Sequence, residues 1–131
     1  MRPDGSAADG VVLDAGAFIA AERGERTAGL FLARLMAARV PIVTSAAVVA
    51  QVWRGGGARQ APIAFLLRRT QIIDLTASVS RTLGRMLADS RTSDPIDAHV
   101  VLLARERDWS VLTSDPDDLL AIDPTLRVER V

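Results

Sequence analysis

Short apolar runs alternate with amphipathic stretches along most of this 131-residue chain. The runs VVLD, PIVT, QIIDL and VLT have the length of single strands, and the segments between them place apolar residues at helical spacing. This alternation is typical of β and α units wound around a mainly parallel sheet. The sequence therefore predicts an α/β fold, with a central sheet of four to five strands flanked by helices.

The length and the 49% hydrophobic content suit one domain with a sizeable core. We predict a flexible tail over residues 1–9 and a single domain over residues 10–131. Predicted strands span 11–14, 41–44, 71–75, 111–113 and an edge strand at 126–131, and predicted helices span 15–21, 27–39, 46–54, 61–69, 76–88 and 94–107, with a short helix from 115. Phe18, Phe31 and Phe65 are predicted core residues, and Ser45 and Asp94 are predicted helix N-caps.

Composition excludes several kinds of chemistry. The chain has no cysteine, so a disulfide frame, a thiolate zinc site and a cysteine nucleophile are all excluded, and a cytoplasmic location is favoured. No apolar run approaches the ~20 residues that span a bilayer, so no membrane association is expected. The 16 basic residues, all arginine, balance 16 acids, so no overall charge attracts nucleic acid. Arginine-only usage fits genome composition as well as it fits phosphate binding.

Three aspartates lie at comparable places beside apolar runs. Asp14 follows VVL, Asp115 follows VLTS, and Asp97 precedes the apolar run AHVVLLA. Ligands of parallel α/β sheets bind outside the carboxyl ends of the strands. Carboxylates converging there suit Mg²⁺ or Mn²⁺, which prefer oxygen ligands. For Asp94, and for the Asp117-Asp118 pair, helix capping or solvation is the preferred interpretation.

Three segments carry a family resemblance: VVLDAGAFIAAERG, VTSAAVVAQVWRGG and SDPIDAHVVLLARERDWSVLTSDPDDL. Together they resemble PIN-domain ribonucleases, specifically VapC-type toxins of type II toxin-antitoxin systems, over nearly the whole chain. The resemblance implies a metal-dependent ribonuclease that hydrolyses RNA phosphodiester bonds with Mg²⁺ or Mn²⁺. It also implies that Asp14, Asp97 and Asp115 are catalytic metal ligands, that Asp94 is an auxiliary acid, and that the Thr113 hydroxyl braces the site.

The chain departs from the family pattern at two places. Gln51 stands where the family usually has glutamate and is a candidate supporting residue, because an amide oxygen can ligate a metal. It carries no charge, so binding of a second divalent ion is expected to be weaker. Ala15-Gly16 stands where relatives often carry a hydroxyl residue. The alternative function is therefore a binding module that has lost catalysis and acts through protein or RNA association. Arg54 is a candidate RNA contact, and its competing interpretation is an arginine bonded to the last helix carbonyls.

The resemblance further implies a homodimer and a small VapB-type antitoxin partner. The apolar residues Leu30, Phe31 and Leu35, with Trp53, are candidate partner contacts, and ordinary core packing is the alternative for most of them. His99 is a poor candidate for a general base because its position turns it away from Asp97 on the same helix. Receiver domains and haloacid-dehalogenase phosphatases also have a strand-end aspartate, but both use a lysine, which this chain lacks.

Overall fold

The computed structural model describes residues 9–131, so the predicted tail, apart from Asp9, lies outside the described residues. The described residues form five strands, seven α-helices and one 3-10 turn. Their order is β1 (Val11–Leu13), α1 (Ala15–Glu22), α2 (Arg26–Ala37), β2 (Ile42–Ser45), α3 (Ala46–Val52), the 3-10 turn (Ala58–Gln60), α4 (Ala61–Leu67), β3 (Gln71–Ile73), α5 (Ala77–Ser90), α6 (Pro95–Arg107), β4 (Ser110–Thr113), α7 (Pro116–Ile122) and β5 (Val128–Arg130).

The five strands form one sheet in the order β3-β2-β1-β4-β5, and every pairing is parallel. The predicted fold class is confirmed, including an edge position for the last strand. The chain leaves β1 toward β2 and β3, then crosses back to β4 on the other side of β1. The boundary between β1 and β4 is therefore the switch point of the sheet, where open α/β sheets bind their ligands.

Helices cover both faces of the sheet. Helices α2, α3 and α4 contact α1, whereas α5 and α7 contact α6, and the two central helices α1 and α6 both contact β1 and β4. The three residues of β1 are buried because the strand is central and covered on both faces. This arrangement explains why the central strand has an uninterrupted apolar sequence rather than an alternating one.

Helix α4 corrects one core prediction. Phe18 is fully buried and Phe31 is partly buried, but Phe65 is 42% exposed, so its predicted core position is wrong. Ile63 and Leu66, three residues apart, form the buried face of α4. Phe65 lies between them in sequence and therefore faces outward.

Two predicted N-caps are confirmed by hydrogen bonds. Ser45 Oγ accepts from the Ala47 N–H at 3.0 Å, and Asp94 Oδ1 accepts from the N–H groups of Ile96 and Asp97 at 2.9 and 3.2 Å. These caps place the first turns of α3 and α6 at defined points. In the described part of the chain, no helix is long and apolar enough to cross a membrane.

Candidate active site

Asp14 lies at the carboxyl end of β1 and is held on both carboxylate oxygens. Its backbone N–H donates to the Leu112 carbonyl at 3.0 Å, which extends the pairing of β1 with β4. Its Oδ1 accepts from the Ala15 N–H at 2.8 Å and thereby caps α1, while Oδ2 accepts from the Thr113 hydroxyl at 2.8 Å. The side chain is buried, so these two hydrogen bonds hold it in one orientation.

Thr113 links the two strand ends of the site. Its Oγ1 donates to Asp14 and also accepts from the Asp115 N–H at 3.0 Å. Thr113 is fully buried, so its hydroxyl depends on these partners rather than on water. Thr113 therefore joins the backbone of Asp115 to the side chain of Asp14, and its bracing role in the site stays a prediction.

Gly16 explains one departure from the family pattern. A Cβ at this position would lie 2.7 Å from the Ser114 backbone nitrogen and would also collide with the Ser114 hydroxyl. The first turn of α1 and the loop after β4 therefore approach each other too closely for a side chain at Gly16. Ser114 occupies the space that a larger residue at position 16 would need.

Asp97 lies in the first turn of α6, above the same edge of the sheet. Burial raises the pKa of Asp97 to about 7, and the charges of Asp94 and Asp14, followed by those of Asp118 and Asp115, act in the same direction. The position of Asp97 depends on the N-cap Asp94, whose Oδ1 accepts a hydrogen bond from the Asp97 N–H. Helix α6 packs against β1, β2 and β4, and this packing brings its first turn to the strand ends.

Asp118 joins this group, and the sequence did not indicate that it would. A hydrogen bond with the Asp115 carboxyl raises the pKa of Asp118, and the charge of Asp115 acts in the same direction. Asp115 begins α7 without a side-chain cap bond, so its carboxyl is not used in capping. The three-residue spacing of these two aspartates on a helix start was the available signal, because it returns Asp118 to the side of Asp115.

The carboxylate cluster comprises Asp14, Asp97 and the three aspartates whose charges raise the pKa of one or both of them: Asp94, Asp115 and Asp118. Burial raises the pKa of Asp14, the bonds from Ala15 and Thr113 oppose that shift, and the charges of Asp94 and Asp115 add to it. Among the described residues, ion pairs join Arg59 to Glu22, Arg105 to Asp123 and Arg127 to Asp108, and none of them involves the cluster. Its negative charges are therefore not neutralised by an ion pair within residues 9–131.

The donor set of the cluster fits a hard divalent cation. All of its side-chain donors are carboxylate oxygens, which Mg²⁺ and Mn²⁺ prefer, and mutual repulsion favours an added positive charge. Within residues 9–131, however, no three acidic or histidine side chains lie close enough to hold a metal as they stand. Coulomb repulsion acts over many ångströms, whereas coordination needs contact near 2 Å, so the two observations are compatible. A cation would have to draw the more exposed carboxylates inward.

Gln51 lies apart from the contacts of the cluster. It is exposed on α3 and lines a separate cavity of about 460 Å³ with Glu22, Arg54 and Gln60. Gln51 has no hydrogen bond to any described residue, so its predicted supporting role stays a prediction. Arg54 Nη1 donates to the carbonyls of Ala50 and Trp53 at 3.1 and 2.7 Å, which is the helix-end alternative to RNA contact.

Gln60 is a buried amide that sequence analysis missed. Its Nε2 donates to Glu22 and to the Val52 carbonyl, and its Oε1 accepts from the N–H groups of Arg54 and Gly56. These four bonds fix the glycine-rich turn after α3, where Gly56 has a φ of 77°. No local pattern marks such a residue, because its partners come from three different segments.

His99 is a core residue rather than a member of the cluster. It is buried, and its Nδ1 is hydrogen-bonded to Ser45 Oγ at 2.6 Å. Burial lowers the pKa of His99, so the ring is neutral near pH 7. This contact ties α6 to the start of α3 and supports the expectation that His99 is not a general base.

A family model described as the PIN domain matches residues 11–123. No curated protein matches the sequence of the chain.

Three solved structures have similar folds. VapBC2 from Rickettsia felis, bound to a DNA fragment from their promoter, has a TM-score of 0.68 at 19% identity over 92% of this chain and 98% of that chain. FitAB bound to an IR36 DNA fragment has a TM-score of 0.64 at 16% identity, with coverages of 92% and 94%. A protein from Pyrobaculum aerophilum has a TM-score of 0.67 at 13% identity, with coverages of 96% and 88%. At these identities the likeness concerns the fold alone.

Proposed function

Because this chain belongs to the PIN domain family, whose members are generally nucleases, we propose that it is a divalent-metal-dependent ribonuclease. The proposed reaction is hydrolysis of RNA phosphodiester bonds, and the proposed location is the cytoplasm. One observation carries the proposal: the carboxylate cluster lies at the switch point of a parallel sheet without a basic partner among the described residues. Such a group of acids is costly to maintain unless a cation uses it.

The aspartates and Thr113 of the site have different proposed roles. Asp14, Asp97 and Asp115 would hold Mg²⁺ or Mn²⁺, with Asp94 as an auxiliary acid that also fixes the first turn of α6. Thr113 orients the Asp14 carboxylate and the Asp115 backbone together. When bound, the metal ion supplies activation of water and neutralisation of charge that develops on the phosphate. No covalent nucleophile is needed from the protein.

We also propose that the protein is the toxin of a VapBC-type pair, acting as a homodimer neutralised by a VapB-type antitoxin. The similarity of its fold to those in the VapBC2 and FitAB structures supports this proposal. The surface also suits protein contacts, because Leu30 is 52% exposed and Trp53 is 38% exposed. Phe31 and Leu35 are only partly buried, so the apolar stripe suggested by the sequence extends from core to surface.

The alternative is a PIN-like binding module with weakened catalysis. Gln51 favours it, because its amide supplies no negative charge where the family usually has a carboxylate. The spacing of the acids favours it too, since no three described acidic side chains are in place to hold a metal without movement. The two functions differ in one measurable property, which is metal-dependent RNA cleavage.

The deciding experiment is cleavage of a mixed RNA pool by the purified protein in Mg²⁺, in Mn²⁺ and in EDTA. We expect cleavage in at least one metal, none in EDTA, and a loss of at least 100-fold in the Asp14→Asn variant. This substitution keeps the shape of the side chain and one acceptor oxygen, but it removes the charge and one of the two hydrogen bonds that Asp14 accepts, so circular dichroism must show that the variant is folded. Asp89→Asn is the matched control, because Asp89 is exposed on α5 and its charge acts on no member of the cluster.

Absence of cleavage in both metals, by folded protein free of antitoxin, would favour the binding module. Equal loss of activity in the Asp14→Asn and Asp89→Asn variants would also contradict the assignment of Asp14, since it would show a general effect of removing negative charge.

A further inference from the structure

The cavity that contains Gln51 combines an apolar lining with several polar side chains. It has a volume of about 460 Å³ and is bordered by α1, α3, the turn after α3 and α4. Its apolar lining includes Ile19, Val52 and Ile63. Its charged and amide side chains are those of Glu22, Gln51, Arg54, Arg59 and Gln60. Sites for small ligands have this mixture of residues and volumes of ~300 to ~1,000 Å³, so the cavity suits a small ring with polar edges.

Glu22 is the only acid among the described residues that line this cavity. Its side chain is 17% exposed, and its Oε2 accepts from Gln60 Nε2 at 3.0 Å. Gln60 is itself buried and makes three further hydrogen bonds to backbone groups. The Glu22 carboxylate is therefore held in place, and a carboxylate has more acceptor sites than this one bond uses.

The other oxygen of Glu22 is available to a ligand. No described residue donates a hydrogen bond to Oε1, and the nearest cation is Arg59, whose Nη2 lies 4.0 Å away. The Arg59 side chain is 88% exposed, so this ion pair contributes little and is easily exchanged. A ligand with two adjacent N–H groups could therefore donate to the Glu22 carboxylate without breaking its bond to Gln60.

Gln51 gives the cavity a hydrogen-bond donor. It is exposed and makes no hydrogen bond to a described residue, so its amide is available. The glutamate that the family usually has at this position could only accept hydrogen bonds when ionised, whereas an amide also donates them. Arg54 uses Nη1 for the carbonyls of Ala50 and Trp53, which leaves its other N–H groups for a ligand. The cavity thus offers acceptors at Glu22 and donors at Gln51 and the arginines.

We propose that this cavity binds a guanine base of the RNA substrate. The N1–H and N2–H groups of guanine donate to the Glu22 carboxylate, and the Gln51 amide donates to O6 or N7. Arg54 and Arg59 contact phosphates of the same strand. This inference rests on the RNA substrate proposed above and deepens it, because it names the base that the protein selects beside the carboxylate cluster.

The edges of the four bases favour guanine. Uracil has a single N–H between two carbonyl oxygens, and those oxygens repel a carboxylate. Adenine and cytosine each place an amino group beside a ring nitrogen that only accepts. Guanine alone has two adjacent N–H donors on its Watson–Crick edge, with O6 and N7 as acceptors further along. Its pattern of donors and acceptors therefore matches Glu22 and Gln51.

The position of the cavity suits a strand that also reaches the carboxylate cluster. Helix α1 begins directly after Asp14 and ends at Glu22, and its eight residues span roughly 12 Å. One RNA strand can therefore contact both places with neighbouring nucleotides. Arg54 and Arg59 favour a nucleic acid over a cationic peptide, because they attract phosphates and repel a second positive charge.

The test measures binding of labelled oligouridine that carries one central guanosine to the purified full-length protein, by fluorescence anisotropy in EDTA. The matched strands carry inosine, which lacks the N2 amino group, or uridine at the same place. We expect roughly tenfold tighter binding of the guanosine strand than of the inosine strand. Glu22→Gln keeps an acceptor for Gln60 but should abolish this preference, and Gln51→Ala should reduce it. Arg59→Gln should weaken binding of all three strands equally.

Glu25→Gln is the matched control, because Glu25 is an exposed acid near Glu22 that does not line the cavity. This variant should keep the preference for guanosine. Circular dichroism establishes that each variant is folded. The comparison of guanosine with inosine uses the unaltered protein, so it tests the proposal even if a variant fails to fold.

Equal affinity of the wild type for the three strands would overturn the proposal, and so would no binding of any strand. A guanosine preference that survives in Glu22→Gln, or is lost equally in Glu25→Gln, would also overturn it. If arginine amide displaces the guanosine strand at lower concentration than guanosine monophosphate does, the cavity binds a guanidinium and the guanine assignment is wrong.

RNA cleavage in Mg²⁺ or Mn²⁺ is a separate measurement, so failure of this inference can be distinguished from failure of the proposed function. Cleavage without a guanosine preference in binding would retain the nuclease and remove the guanine site. A guanosine preference without cleavage would retain the guanine site and favour the binding module.

Discussion

The carboxylate cluster and the arginine pair, Arg39 and Arg69, differ in how their charged side chains are held. The two arginines line one cavity. At the cluster, Asp14 is buried and hydrogen-bonded through both oxygens, and Asp97 is partly buried with a pKa raised to about 7. At the pair, Arg39 and Arg69 are exposed side chains. One region therefore confines acids in a defined geometry, whereas the other presents cations on a surface.

The acidic and basic residues lie in different parts of the chain, although its net charge is zero. Eight of the 16 arginines lie within residues 23–73, whereas most of the acids lie after residue 73. The chain is neutral as a whole, but neither region is neutralised by an ion pair within the described residues. Each region is therefore expected to respond to an added counter-charge, which is a divalent cation for the cluster and an anion for the pair.

The largest expected effect is stabilisation of the cluster by metal. Mg²⁺ or Mn²⁺ at 100 times its Kd should raise the free energy of unfolding by about 2.7 kcal/mol, because it binds the folded state and relieves repulsion there. Urea unfolding with metal and with EDTA measures this difference. Asp14→Asn should remove most of it, and the double Arg39→Gln, Arg69→Gln variant should retain it. Equal stabilisation of the Asp14→Asn variant would show that the metal binds elsewhere.

The next effect tests the hydrogen bonds that confine the cluster. Thr113→Val removes a fully buried hydroxyl and leaves Asp14 Oδ2 and the Asp115 N–H without that partner. We expect a loss of about 2 kcal/mol in stability, the usual cost of unpaired buried polar groups, together with weaker metal-dependent cleavage. Thr113→Ser keeps the hydroxyl and should preserve activity. Unfolding curves and cleavage rates provide the measurements, and unchanged cleavage in Thr113→Val would contradict the bracing role.

A smaller effect is expected from pH. The pKa of Asp97 rises from 3.8 in the unfolded chain to about 7 in the folded protein, so the folded state holds the extra proton between those values. Stability from this group is therefore fully present below pH 3.8 and is lost as the pH rises through about 7. Solvent screens the partly buried carboxyl, so the loss should be only about 1 kcal/mol. Urea unfolding in EDTA between pH 5 and pH 8 should show this loss of stability in the wild type, and the Asp97→Asn variant should not lose stability in this way. A wild-type stability that rises over this range would contradict the predicted direction.

The smallest effects compare paired and unpaired arginines. Arg105→Gln removes a 3.2 Å ion pair with the buried Asp123 and should cost about 1 kcal/mol. Arg39→Gln removes an exposed arginine without a partner and should change stability by less than about 0.5 kcal/mol. Thermal or urea unfolding of both variants measures the difference. A larger cost at Arg39 than at Arg105 would show that the arginine pair has a structural role in the isolated protein.

Local sequence patterns predicted most of the fold. The strands, the six longer helices and the short helix after Asp115 all occur near their predicted positions, and the caps at Ser45 and Asp94 are confirmed. Helix α3 ends at Val52, two residues before its predicted end, and the 3-10 turn that precedes α4 was not predicted. Periodicity and capping depend on neighbouring residues, whereas element ends depend on the packing and loops that follow.

The candidate site was predictable only in part. Asp14, Asp97 and Asp115 were singled out from their positions beside apolar runs, and the structure places all three in the carboxylate cluster. Asp118 was missed because its i+3 spacing from Asp115 is equally typical of a capping residue. Phe65 was assigned to the core because composition does not reveal which side of a short helix faces outward.

The sequence by itself determined the α/β class, the order of the elements and the residue types at the strand ends. These follow from hydrophobic spacing and capping chemistry, which act over a few residues. Only the tertiary structure decided that the charge of Asp118 acts on Asp97, that Gln60 bonds to Glu22 while it holds the turn after α3, and that Arg39 and Arg69 line one cavity. Those contacts join segments far apart in the chain, and their formation depends on how helices pack across both faces of the sheet.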